Sequence, residues 1–320
     1  MTRFDDILER ALEAPMNIPV SSLAGMLSCD DPGFDGELFA AADEIKRRCG
    51  KTEVLPRGLV ECSNVCAKDC LYCGIRRSNG KAVRYRLSEE EACACIGEAR
   101  RRGYPAVAFQ AGEIESEENT RYYERLLARC EGLEVTLSLG EQTEDVYRRW
   151  KDAGAMRYLL RIETSSRELY ARIHPAECSF DRRLSCIRTL KRLGYVTGTG
   201  VMIGLPGQTV GDLARDIVFF GEEHVDMVGM GPYIFHPDTP LSRSRPSPLS
   251  LPSLPYRMIA LTRLYLWNVN IVAATALEAL DPEHGRERGL AAGANVVMPN
   301  ITPEAARMNY DLYPGKTVAI

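Results

Sequence analysis

The chain has 320 residues, 45% apolar and 26% charged, with 40 basic against 44 acidic side chains and a formal charge of −4. That balance excludes a nucleic-acid backbone or an anionic membrane surface as the main partner, and 26 Gly with 18 Pro exclude collagen and low-complexity disorder. No apolar run reaches the roughly 18 residues of a membrane helix, and the acidic amphipathic start at residues 1–14 is unlike an export signal, so a cytoplasmic location is expected. The eleven cysteines are then free thiols, available for metal or catalysis, and not a disulfide scaffold.

Residues 1–56 read as a helical extension and 57–320 as the main domain. A first strand is expected at 58–62 (GLVEC). A helix follows at 88–102, opened by a capping box of Ser88 and Glu91, closed by Gly103 and followed by the strand of YPAVAFQAGE. The same unit recurs as helix 118–129, Gly132 and VTLSLG, then as helix 143–153, Gly154 and YLLRIE. It recurs again as helix 180–193, Gly194 and VTGTGVMIG. Helix 209–223 leads to a strand at 226–233 (DMVGMGPY), helix 254–267 to one at 270–276 (NIVAATA), and helix 283–292 with Gly293 to NVVMP. Each glycine is a helix C-cap. The stretch 242–255 (SRSRPSPLSLPSLP) is too rich in Pro and Ser for an element and reads as a surface loop. Eight alternating β and α units make an α/β fold, a (β/α)8 TIM-type barrel with an N-terminal helical extension. Its chemistry belongs at the C-terminal ends of the strands.

Directly after the first strand, CAKDCLYC places Cys66, Cys70 and Cys73 as C-x3-C-x2-C at the barrel mouth. Three thiolates on one loop bind three irons of a cubane and leave the fourth open to a ligand, whereas a fully protein-held 4Fe–4S cluster takes four. A zinc clasp with Cys62 as fourth ligand, or ordinary buried thiols, is the alternative. The other cysteines, Cys29, Cys49, Cys93, Cys95, Cys130, Cys178 and Cys186, show no ligand spacing and read as small buried hydrophobes. Of the histidines, His236 falls at the end of strand six and lines the mouth; His174, His224 and His284 read as surface or capping residues.

C-x3-C-x-aromatic-C on the first loop of a β/α barrel resembles the radical S-adenosylmethionine (SAM) superfamily. In that superfamily SAM chelates the unique iron, and an electron from the 4Fe–4S cluster cleaves the sulfonium bond to a 5′-deoxyadenosyl radical. Nearly the whole chain resembles the HydE family of FeFe-hydrogenase maturases. The resemblance runs through SNVCAKDCLYCGIRRSN, RYRLSEEE, FQAGE, VTLSLGE, YLLRIET, GLPGQT, DMVGMGPYIFHPDTPL, GANVVMPN and YDLYPGK. Biotin synthase and methylornithine synthase share the barrel and the cluster.

Arg161 and Glu163 in YLLRIET are two apart on strand four and share a face, which the barrel can turn inward; a pair that only fills a barrel layer is the alternative. The resemblance implies that Glu163 contacts the SAM amino group or ribose and Arg161 a substrate carboxylate. Thr136 and Ser138 repeat the period of two on strand three, and the resemblance places them beside the substrate. Gln110 and Glu113 end strand two near the cofactor, where the family often has Ser in place of Ala111. Arg183 matches an arginine that reaches the SAM carboxylate. Met202 is placed on adenine or in the core, and Tyr72 near adenine through its loop backbone. Thr275 on strand seven follows Ala274, where the family often has two threonines. Tyr310 and Tyr313 match tyrosines near the pocket.

The resemblance therefore implies one 4Fe–4S cluster, SAM and an electron donor. It also implies a small-molecule substrate, an iron complex of cysteine, carbon monoxide and cyanide, and other hydrogenase maturases as partners, with no nucleic acid and no membrane. Two alternatives stand beside it: a methylornithine-synthase-like or other radical SAM enzyme of small amino acids, and a non-catalytic iron–sulfur or zinc carrier.

Overall fold

A computed structural model describes residues 5–244, 249 and 252–316. Three helices come first, α1 (Asp5–Ala11), α2 (Val20–Leu27) and α3 (Phe34–Arg48). In α3, Phe34, Leu38, Ala42 and Ile45 form the single buried stripe expected of a helix with one apolar face. Then β and α alternate: β1 (Leu55–Ser63), α4 (Glu89–Arg101), β2 (Ala106–Ala111), α5 (Glu117–Leu127), β3 (Glu134–Ser138), α6 (Glu144–Asp152), β4 (Arg157–Leu159), α7 (Arg167–Ile173) and α8 (Phe180–Arg192). The chain continues through β5 (Val196–Thr199), β6 (Met202–Ile203), α9 (Val210–Glu222), β7 (Met227–Val228), β8 (Gly231–Pro232), α10 (Leu254–Leu266) and β9 (Asn270–Ile271). It closes with α11 (Thr275–Leu280), α12 (Gly285–Ala291), β10 (Val296–Val297) and α13 (Glu304–Arg307). α2 packs on α9 and α10, and α3 on α10, so the N-terminal helices cover one side of the outer helical layer.

Eight strands pair in parallel in the order β10-β1-β2-β3-β4-β5-β7-β9, and β6 pairs with β8 as a short extension. A bridge between Val272 and Val296, with the Ala273 amide donating to the Val296 carbonyl at 2.9 Å, joins the ends, so the sheet is a nearly closed barrel. Side chains along β1 alternate as a sheet requires. Arg57, Leu59 and Glu61 face the interior. An added Cβ on Gly58 would meet Ile301, Tyr104 and Ala99 on the outside. Gly103, Gly154, Gly194 and Gly293 directly follow the C-caps of α4, α6, α8 and α12 with positive φ, the left-handed turn that ends a helix before a strand. Gly132, expected in the same role, instead lies in the turn before β3, because α5 already ends at Leu127 with Ala128 as its cap. The box at Ser88 forms as expected, with Ser88 Oγ accepting from the Glu91 amide and the Glu91 carboxylate accepting from the Ser88 amide.

The barrel departs from the sequence expectation where strands are short. Position five is split into β5 and β6, and position six into β7 and β8, because Gly200 and Gly229 pinch together. A Cβ on Gly200 would lie 1.8 Å from the Gly229 carbonyl oxygen. Strand four ends at Leu159, so Arg161 and Glu163 follow it and are not part of it. Strand seven ends at Ile271, and Thr275 is the first residue of α11. Helix α7 (RELYARI) was not expected; seven residues without a closing glycine leave little periodic signal. Of the stretch 242–255, Leu254 and Pro255 open α10, since proline suits a first helical turn, and residues 245–248, 250 and 251 lie outside the described residues. No helix among the described residues is long and apolar enough to cross a membrane.

Candidate active site

The C-terminal ends of the strands surround a cavity of about 320 Å³, and every residue singled out above as a site candidate, except His236, lines it. Strand register explains much of this. Glu61 pairs with Gln110 and Gln110 with Ser138, which sets three polar side chains in one row at the mouth. Leu59, Ala108 and Thr136 form the row below.

The cysteine loop is held by its own polar hub. Arg84 donates to the carbonyls of Asn64, Ile75 and Arg76 at 2.7, 2.8 and 2.6 Å. Asp69 accepts from the amide and hydroxyl of Ser78 and pairs with Arg76 at 2.8 Å. The loop also docks on the segment after β2. The Ala67 amide donates to the Glu113 carbonyl at 2.8 Å, and the Glu113 amide to Cys66 Sγ at 3.3 Å. Gly112 permits that contact, because a Cβ there would lie 2.2 Å from the Val65 carbonyl oxygen.

Do these thiols fit a cubane? Cys66, Cys70 and Cys73 line one chamber on one loop. Among the described residues no three His, Cys, Asp or Glu side chains converge as a single ion requires. Three thiolates on one short loop are the donor set of a cubane that leaves one iron open, whereas a tetrahedral zinc clasp needs a fourth protein ligand. Cys62 is fully buried on the opposite face of β1, in the core with Cys95 and Tyr123, so it is no fourth ligand. Burial pushes the Cys66 thiol up and the Cys73 thiol to about 12. Holding them as thiolates needs a bound cation.

Next to the loop lies a quartet of charges, with Glu113, Glu141 and Arg183 buried and Lys68 half-buried. Lys68 Nζ is 3.0 Å from Glu113 and 3.2 Å from Glu141. Arg183 Nε donates to Glu141 at 2.6 Å, and its guanidinium lies 3.8 Å from Glu113. Arg183 is therefore a buried residue of α8, the second helix after β4. Burial pushes the Glu113 carboxyl up. Burial acts the same way on Glu141, but Arg183 and Lys68 hold it below its usual range. Opposite, Glu163 pairs with Arg161 at 3.0 Å; burial raises its carboxyl and Arg161 opposes the rise. Arg161 Nε and Thr136 Oγ1 have no partner. A sealed polar atom left unpaired costs roughly 1–3 kcal/mol, so a polar ligand that reaches either atom is favoured.

The far wall is the segment after α13. Tyr313 Oη and Thr275 Oγ1 are 3.1 Å apart, Tyr310 is buried, and Lys316 pairs with Glu61, whose other oxygen accepts from Asn300 at 3.0 Å. Sequence reasoning passed over Lys68, Glu141, Glu61 and Lys316. Lys68 sits inside the cysteine motif and Glu141 inside VTLSLGE, but nothing in the spacing shows that they meet. Two other expectations need correction. His174 is buried, stacks on Tyr170 with centroids 3.9 Å apart and meets Tyr72 edge-on. His236 is bonded to Asp311 at 3.2 Å and lines a separate cavity of about 130 Å³.

Comparison with known proteins agrees with this geometry. The model of the radical SAM superfamily matches residues 60–220. The chain is 46% identical over 296 residues to the [FeFe] hydrogenase maturase subunit HydE of Thermotoga maritima, covering 91% of this chain and 82% of that one. It is 28% identical over 244 residues to biotin synthase of Sorangium cellulosum, covering 72% and 67%. Among solved structures, methylornithine synthase superposes with a TM-score of 0.81 at 23% identity over 93% of this chain and 86% of that one. The maturase HydG of Carboxydothermus hydrogenoformans gives 0.80 at 20% over 92% and 70%; at these identities both speak for the fold alone. With three cysteines on the first loop of a parallel barrel and these relatives, the chain belongs to the radical SAM superfamily, enzymes that use a 4Fe–4S cluster and SAM, and within it to the HydE family.

Proposed function

We propose that this enzyme acts in assembly of the diiron subcluster of FeFe-hydrogenase, as its likeness to the Thermotoga hydrogenase maturase suggests. The observation that carries the reading is one chamber in which a three-cysteine loop faces both the Glu113–Arg183 pair and the Arg161–Glu163 pair. Cys66, Cys70 and Cys73 hold the cluster. When bound, it supplies the electron that cleaves the sulfonium bond of SAM to a 5′-deoxyadenosyl radical.

The chain's own residues orient the reactants. Glu113 and Arg183 take the ammonium and carboxylate of the SAM methionine, Glu163 its amino group or ribose, and Met202, Tyr72 and Gln110 enclose the nucleoside. Arg161, Thr136 and Ser138, with Thr275, Tyr310 and Tyr313 opposite, take a small anionic substrate, an iron complex bearing cysteine, carbon monoxide and cyanide. The apolar barrel wall keeps water from the radical, the protein's share of the work in a cofactor enzyme. An electron donor and the other maturases are its partners, in the cytoplasm.

Replacing the HydE component of a hydrogenase maturation mixture with this protein, with 5′-deoxyadenosine followed in parallel, tests the proposal. Active hydrogenase is expected. SAM cleavage without maturation points to another radical SAM substrate, and metal binding without SAM cleavage to a carrier.

A further inference from the structure

Glu163 stands in the left-handed region at φ 68°, a conformation that costs a non-glycine residue roughly 1–2 kcal/mol. Its own main chain is tied to position five of the barrel: its amide donates to Gly200, and its carbonyl accepts from the Met202 amide, both at 3.0 Å. The turn that follows is held from elsewhere. Both the amide and the hydroxyl of Ser165 donate to Asp216 Oδ1, each at 2.6 Å. Asp216 lies on α9, 51 residues away, with no solvent exposure.

Asp216 is expensive to keep. Its Oδ2 has no partner, and burial pushes its carboxyl up to about 7 against the hydrogen bonds of Ser165. The nearest charged groups, Asp212 and Arg215, pair with each other at 2.8 Å and leave it no counter-ion. A position in the packed face of a helix is more simply filled by an apolar side chain. What the carboxyl gives in return is a grip on both hydrogens of Ser165, two residues from the strained Glu163.

We propose that Asp216 is a positioning residue of the SAM site, holding the turn at residues 163–166 so that the Glu163 carboxylate faces the chamber. This rests on the reading of Glu163 as a SAM contact given above. Asp216 touches no reactant and acts through Ser165 and Glu163.

The test uses the full chain with its cluster reconstituted. SAM affinity is measured by equilibrium dialysis, KM and kcat for SAM by 5′-deoxyadenosine release, and folding by thermal unfolding. Asp216→Ala is expected to raise both the SAM Kd and KM about 10-fold, and Ser165→Ala about 3-fold, with kcat within about 2-fold. Asp216→Asn keeps an acceptor oxygen and is expected to stay within about 3-fold of the wild type. In a double-mutant cycle, Asp216→Ala should add little to Glu163→Gln, because the first acts through the second. An unchanged Kd in folded Asp216→Ala and Ser165→Ala overturns the proposal, as does full additivity with Glu163→Gln. If Asp216→Ala does not fold, Ser165→Ala decides alone. Wild-type protein that neither binds nor cleaves SAM overturns the functional reading itself, a result distinct from a SAM-binding enzyme indifferent to Asp216.

Discussion

The ammonium of Lys68, between the first two cysteines of the cluster loop, stands 3.0 Å from the carboxylate of Glu113 just beyond β2. The three-cysteine loop and the residue proposed for the SAM ammonium are thus one electrostatic unit. On the proposed reading of Glu113 as the partner of the SAM ammonium, Lys68 competes with that ammonium for the same carboxylate. Lys68→Met should therefore tighten SAM binding several-fold, read by equilibrium dialysis of the reconstituted protein. Weaker binding at full iron content would instead make Lys68 an attractive contact for SAM.

Gly140 backs the same carboxylate. It has φ +77°, and a Cβ there would lie 2.2 Å from Glu113 Oε2. Gly140→Ala combines a backbone penalty of roughly 1 kcal/mol or more with displacement of Glu113. A lower unfolding temperature together with weaker SAM binding is expected; a wild-type affinity for SAM would show that Glu113 can move without consequence.

His174 gives the fold a dependence on pH. Burial, helped by Arg183, lowers its pKa to about 4 from an ordinary 6.5, so the unfolded chain takes up the proton first. Stability is fully present above pH 6.5 and falls as pH drops towards 4, by about 3 kcal/mol from this group. Urea unfolding across that range should show the fall, and His174→Gln should flatten it. An equal slope in the variant assigns the effect to other groups.

Much of this was legible in the sequence, for reasons that differ by feature. Gly103, Gly154, Gly194 and Gly293 marked helix ends because a left-handed C-cap favours glycine, and the β-branched runs at 58–62, 226–233 and 270–276 completed the count of β/α units. The site candidates converge because alternation along β2 and β3 points Gln110, Thr136 and Ser138 inward and because barrel topology gathers strand ends. What stayed hidden depends on contacts distant in sequence. Lys68 and Glu141 meet across 73 residues, and Ser165 and Asp216 across 51; no periodicity encodes either. The left-handed Glu163 was hidden because the alternation of YLLRIET reads as one strand up to it, and the face of Cys62 became clear only from the register of β1.

The account turns on whether the three-cysteine loop runs SAM chemistry. Anaerobically reconstituted protein given SAM and a strong reductant, assayed for 5′-deoxyadenosine beside Cys70→Ala, tests this most directly. Cluster-dependent release that disappears in Cys70→Ala is the expected result. Protein that loads iron and sulfide yet leaves SAM intact, or a Cys70→Ala variant as active as the wild type, would contradict it.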